Sequence, residues 1–167
     1  LRAVEEYNYV PSAIARSLSI QDSLSVGTII PDIENEFFSK VISGISEVAE
    51  SYHYNIVFLG TNETLDKEHD FLKIVESQRL KGVIITPISE TDTVTRDYLL
   101  RLEESGIPVV LVDRDVKGAQ FDGVFVDNQK GSYDGVMELI KAGHERIAII
   151  TGPETSKPGK DRCQGYL

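Results

Sequence analysis

From residue 24 onward, short β-branched runs alternate with longer amphipathic stretches, and few folds satisfy such a pattern. The runs occupy residues 26–30, 55–59, 82–86, 108–112, 123–126 and 146–151. Most are continuously apolar rather than alternating, which suits strands covered on both faces by helices. Most begin about 25–30 residues after the one before, the length of a βαβ step. In the first intervening stretch Phe37, Phe38, Val41, Ile42, Ile45, Val48, Ala49 and Tyr52 fall at three- and four-residue spacings, one apolar helical stripe. Further helices are expected over roughly 65–79, 94–105 and 129–142. Gly143 and Gly106-Ile107-Pro108 are placed to end the last two. The pattern predicts an α/β fold with a doubly wound, mostly parallel sheet.

Residues 1–23 do not follow that pattern. Pro11 suits the first turn of a helix, and Ser12-Ala13-Ile14-Ala15-Arg16-Ser17-Leu18 is a short helical candidate. Residues 19–23 are polar and read as a linker. Seven residues fall well below the ~12–15 at which an isolated helix holds in water, so this one should form only against a partner. The expected division is therefore 1–23 as a helical segment with its linker and 24–167 as the α/β unit.

The net charge of −10 argues against binding nucleic acid or an anionic membrane through bulk charge. Any DNA contact would have to be local. The single cysteine, Cys163, excludes an intrachain disulfide and suits a reducing, cytoplasmic compartment. No apolar run approaches the ~20 residues a membrane helix needs. The chain opens without an initiator Met or a signal-peptide pattern and stops at Leu167 without a closing element, as expected of a fragment.

In open parallel sheets, ligands bind beyond the carboxyl ends of the strands. The candidate site is then Pro31-Asp32 through Asn35 with Phe37 and Phe38, Thr86-Pro87, Asp113-Arg114, Asp127-Asn128, and Gly152 onward to Arg162. Aromatic faces beside carboxylate, amide and guanidinium groups suit a polyhydroxylated ligand, whose rings stack while its hydroxyls pair. Each element also has a plainer reading. Phe37 or Phe38 could be core; neighbouring helical residues point about 100° apart, so at most one can sit at the centre of the core face. Asp113-Arg114 could be a solvated pair, and Asp127-Asn128 an Asx turn or helix cap.

Signatures of catalysis are missing. There is no Gly-rich phosphate loop and no Gly-x-Ser-x-Gly elbow. His53, His69 and His144 lack metal-ligand spacing, and Cys163 has no identifiable activating partner. The sequence predicts no enzyme, no metal and no cofactor.

The string Asn8-Tyr9-Val10-Pro11-Ser12-Ala13-Ile14-Ala15-Arg16-Ser17-Leu18 resembles the hinge segment of the lactose/galactose repressor (LacI/GalR) family of bacterial transcription regulators. Leu80-Lys81-Gly82-Val83-Ile84, Gly106-Ile107-Pro108-Val109-Val110, Gly143-His144-Glu145-Arg146-Ile147-Ala148 and Arg162-x-x-Gly165-Tyr166 extend the likeness, and these strand motifs are shared with periplasmic sugar receptors. The resemblance implies a helix-turn-helix head and hinge ahead of a two-lobed, periplasmic-binding-protein-like effector domain. Of this, the chain would hold the end of the head, the hinge helix and linker within 1–23, and most of the N-terminal lobe within 24–167. It implies a homodimeric, sugar-responsive repressor that binds operator DNA, with Ser12, Ala15, Arg16 and Leu18 as hinge contacts. Asn35, Phe37, Phe38, Asp113, Arg114, Asp127, Asn128 and Arg162 resemble the ribose-receptor pattern, in which Asn, Phe, Asp-Arg and Arg hold a pentose. A free periplasmic-type sugar receptor is the alternative.

Overall fold

A computed structural model describes residues 24–152 and 156–167. The expected hinge helix at 12–18 and its DNA-contact candidates Ser12, Ala15, Arg16 and Leu18 lie outside the described residues. Strands β1 (Ser25–Ile30), β2 (Asn55–Gly60), β3 (Gly82–Ile85), β4 (Val109–Val112) and β5 (Asp122–Val124) form one sheet in the order β2-β1-β3-β4-β5. Every pairing is parallel. Between and after the strands run α1 (Glu36–Ser51), α2 (Leu65–Ser77), α3 (Thr93–Glu104), α4 (Asn128–Lys141) and α5 (Lys157–Tyr166).

Strand alternation divides β1 between two faces. Ile29 joins Val83, Ile85, Val109 and Leu111 under Leu72 and Val75 of α2 and Leu99 and Leu102 of α3, all buried in one core. Each such Leu or Ile contributes roughly 1.5–3 kcal/mol relative to exposure. Thr28 and Ile30 occupy the other face and are buried as well. The right-handed crossover rule sends α1 to that face, because β1 leads to β2 on one side while β3 leads to β4 on the other. The chain reverses direction in the sheet between β1 and β3. That makes the carboxyl ends of these two strands the switch-point crevice.

The helices expected at 37–52, 65–79, 94–105 and 129–142 all form, and α3 and α4 end as anticipated. Gly106 and Gly143 follow them with φ of 81° and 88°, a conformation that costs a residue with a side chain far more.

Two expectations fail. The apolar run at 146–151 forms no strand, and Ile150 is fully exposed. No strand among the described residues pairs with it. Instead the Ile147 carbonyl accepts a hydrogen bond from the Tyr166 hydroxyl at 2.7 Å. β5 is also shorter than the run at 123–126. The Phe125 ring lies where a side chain on Gly123 would stand, and the chain then turns, Asn128 N–H bonding the Val126 carbonyl at 2.9 Å.

The sequence reading assigned no helix to the residues that form α5. Ser156 caps it, its hydroxyl accepting from Gly159 N–H at 3.3 Å, and Pro158 stands in the first turn. α5 packs against α4, and Gly165 allows the approach: a Cβ there would overlap the Gln129 carbonyl.

Candidate functional site

The site is built from the segments that leave β1, β2, β3 and β4. After β1, the Asp32 side chain accepts from Glu34 N–H at 2.8 Å, turning the chain back toward α1. Asn35 then caps α1, its Oδ1 accepting from Phe37 N–H at 2.9 Å. Phe37 and Phe38 open the helix in unlike settings, Phe37 partly exposed and Phe38 buried.

Asp113 leaves β4 with φ of 64°, in the left-handed region that a residue with a side chain enters at a cost. Burial pushes its carboxyl above the usual carboxylate range, against the opposing pull of Arg114, Arg162 and Lys157. The half-buried Asp113 carboxylate makes no hydrogen bond among the described residues.

Arg114 does not pair with Asp113. Its guanidinium grips Glu63 in a fork, Nη2 to Oε1 at 2.9 Å and Nη1 to Oε2 at 3.1 Å. Nη1 also reaches the carbonyls of Pro87 and Ile88 at 3.4 and 3.5 Å. Arg114 therefore ties the exits of β2, β3 and β4 together at the switch point. Its Nε is buried and has no hydrogen-bond partner among the described residues. With the side chain only 13% exposed, this is not the solvated surface pair that was the plainer reading.

Asp127 caps α4 through Lys130 N–H at 2.9 Å, the plainer of its two readings. Asn128 is buried, and its Oδ1 accepts from Arg162 Nε at 2.8 Å. Arg162 is thereby fixed on α5 close enough to act on Asp113. Of the eight candidates, Asp113, Arg114, Asn128 and Arg162 are linked by these contacts and fields. Asn35 and Asp127 serve as helix caps, Phe38 belongs to the interior, and Phe37 keeps an accessible face.

Three acidic residues escaped the sequence reading. Glu63, the Arg114 partner, lies beyond β2, the one early strand whose exit was not counted among the candidates. Glu90 accepts from Lys117 at 3.2 Å and Lys160 at 3.0 Å, joining the β3 exit to the segment after β4 and to α5. Burial alone would push its carboxyl up, but hydrogen bonds from Lys160 and Lys117 hold it below the usual range. Glu68 is fully buried on α2 and accepts from Thr95 Oγ1 at 2.6 Å and Ile88 N–H at 2.8 Å. No group of three or more His, Cys, Asp or Glu among the described residues is arranged to hold a metal ion. No helix among them is long and apolar enough to cross a membrane.

Fold and crevice together are those of an open parallel α/β sheet with a candidate ligand crevice at its switch point. The profile of periplasmic binding proteins and the sugar-binding domain of the LacI family matches residues 23–167, and the chain belongs to that family. It is 33% identical over 152 residues to catabolite control protein A of Priestia megaterium, covering 91% of this chain and 45% of that protein. To the ribose operon repressor of Halalkalibacterium halodurans it is 34% identical over 166 residues, covering 99% of this chain and 48% of that protein. The chain thus spans about half the length of these curated relatives. A periplasmic binding protein/LacI transcriptional regulator from Alkaliphilus metalliredigens, solved in complex with D-xylulofuranose, superposes with a TM-score of 0.74 at 26% identity. That match covers 86% of this chain and 51% of the other.

Proposed function

We propose that the protein containing this chain is a sugar-responsive transcription regulator of the repressor type. In this reading residues 24–167 are the N-terminal lobe of its effector domain, and residues 1–23 carry the hinge helix and linker. A second lobe closes over the sugar, and the protein acts in the cytoplasm as a homodimer on operator DNA. It binds its sugar without turning it over.

The observation that carries the reading is the half-buried Asp113 carboxylate, without a hydrogen bond among the described residues, beside Arg114 and within the field of Arg162. A carboxylate accepts from two hydroxyls, and the Arg162 guanidinium, engaged by Asn128 only through Nε, can donate its other N–H groups in a fixed plane, so together they can hold adjacent sugar hydroxyls. Phe37 offers a stacking face. Relatives named for catabolite control and for ribose-operon repression favour a regulator over a free receptor. The D-xylulofuranose bound to the structural neighbour favours a sugar.

Sugar binding can alter operator affinity only if it favours one arrangement of the lobes, and hence of the two hinges, over another. An apolar side chain such as Leu18 can wedge into a minor-groove step and kink the duplex. Calorimetric titration of the full-length protein with ribose and other monosaccharides, before and after Asp113→Ala, tests the sugar site. Loss of Asp113 should weaken binding roughly tenfold to a hundredfold. Equal binding by wild type and variant would remove Asp113 from the site.

A further inference from the structure

We infer that Glu63 is a specificity-determining residue that makes this crevice select an uncharged sugar over its phosphate ester. The inference rests on the sugar-binding reading above and adds a residue and a ligand class to it. Arg114 is the guanidinium that ties the strand exits at the crevice, and Glu63 already occupies its fork through both carboxylate oxygens. A phosphate seeking the same bidentate geometry would have to displace that carboxylate.

Around the fork the balance of charge is acidic. A cleft of about 500 Å³ opens beside it, lined by Asp32, Ile33, Glu34, Asn62 and Glu63. Asp32, Glu34, Glu63 and Asp113 are set against Arg114 and Arg162. Lys157 is engaged by Asp161 at 2.6 Å, and Lys160 and Lys117 are held by Glu90. A dianionic phosphate placed here meets like charges on several sides.

The backbone aims Glu63 at this task. Asn62 and Glu63 stand consecutively in the left-handed region, with φ of 52° and 55°. Two such residues in succession cost conformational energy, and the fork to Arg114 is the contact their turn delivers. The exposed half of the Glu63 carboxylate then faces solvent rather than core. An uncharged polyol needs no displacement, because the Asp113 oxygens remain for its hydroxyls.

The test titrates the full-length protein with matched pairs: ribose and ribose 5-phosphate, fructose and fructose 1-phosphate, glucose and glucose 6-phosphate. For the sugar that binds, wild type should prefer the uncharged member by about tenfold or more, since like-charge juxtaposition is worth at least that factor. Glu63→Gln should shrink the ratio severalfold, while Glu63→Asp, which keeps the charge, should retain most of it. Melting curves identify a variant that fails to fold, and the wild-type ratio alone still decides. A phosphate ester that binds wild type as tightly as its parent sugar overturns the selectivity and leaves the sugar site standing. An unchanged ratio in folded Glu63→Gln overturns the role of Glu63. Binding of no member of any pair overturns both this inference and the reading beneath it.

Discussion

Phe37 and Phe38 meet edge to face, their ring centroids 5.1 Å apart and their planes at 75°, yet only one of them is core. Phe38 is 4% exposed and Phe37 40%. The ~100° between neighbours on a helix forces the division, and Asn35 sets it by fixing where α1 begins. Phe38→Ala should therefore cost about 3–5 kcal/mol of stability, the usual penalty for emptying a buried aromatic site. Phe37→Ala should cost much less stability and instead weaken sugar binding. Urea unfolding beside calorimetry on the full-length protein separates the two effects, and equal stability losses would contradict the division.

The α4–α5 contact depends on the absence of a side chain at one point. Gly165 lies against the Gln129 carbonyl and the Ser132 side chain, while Ser132 Oγ donates to the Arg162 carbonyl at 2.7 Å. Gly165→Ala should push the helices apart and cost roughly 1–3 kcal/mol, in the range of other overpacking substitutions. Amide exchange should rise along 157–166 and little elsewhere. Uniform exchange in variant and wild type would show that the contact tolerates a methyl group.

How far the sequence could be read follows the physics of each element. β1 to β4 are short apolar runs, mostly continuous, and α1 to α4 carry apolar residues near a period of 3.6, so the elements follow from that pattern, but their burial does not: Val48 of α1 and Tyr133, Leu139 and Ile140 of α4 stay exposed. The run at 146–151 has the same local composition but pairs with no strand among the described residues, and composition does not report the partner. α5 has the opposite character: Pro158, Gly159 and Gly165 weaken any helical signal, and the helix rests on the Ser156 cap and the seat on α4. At the site, Asp113 and Arg114 were legible as a strand exit. Their separation was not, because Arg114 turns to a carboxylate 51 residues away. Applying the strand-exit rule to Thr61-Asn62-Glu63 would have found that partner.

Glu90 should stabilise the fold against mild acid. Lys160 and Lys117 hold its carboxyl below the ordinary value of 4.5. The folded state therefore favours the ionised form, and the contribution is present above that value. It should be lost as pH falls through the lower folded value. Glu90→Gln should reduce stability at pH 7, and the gap to wild type should close as acid protonates the wild-type carboxyl. A gap that stays constant through this range would show that the two lysines contribute nothing through charge.

Glu68 should behave in the opposite sense. It is fully buried, and burial raises its carboxyl above the ordinary value of 4.5 despite hydrogen bonds from Thr95 and Ile88. The folded state favours the protonated form, so this group's stabilising contribution is complete below 4.5 and lost as pH rises through the higher folded value. Glutamine has the same shape and cannot ionise. Its carbonyl can accept from Ile88 N–H while its amide donates to Thr95 Oγ1, so Glu68→Gln keeps both contacts. The variant should match wild type near pH 4 and gain on it as pH rises toward 8. Glu68→Ala should instead be destabilised across the range, because each buried partner left unsatisfied costs about 1–3 kcal/mol. It should also weaken sugar binding, since Ile88 N–H holds the loop whose carbonyls receive Arg114. Unfolding midpoints of the three proteins from pH 4 to 8 check the argument, and a wild-type to Glu68→Gln difference independent of pH would refute it.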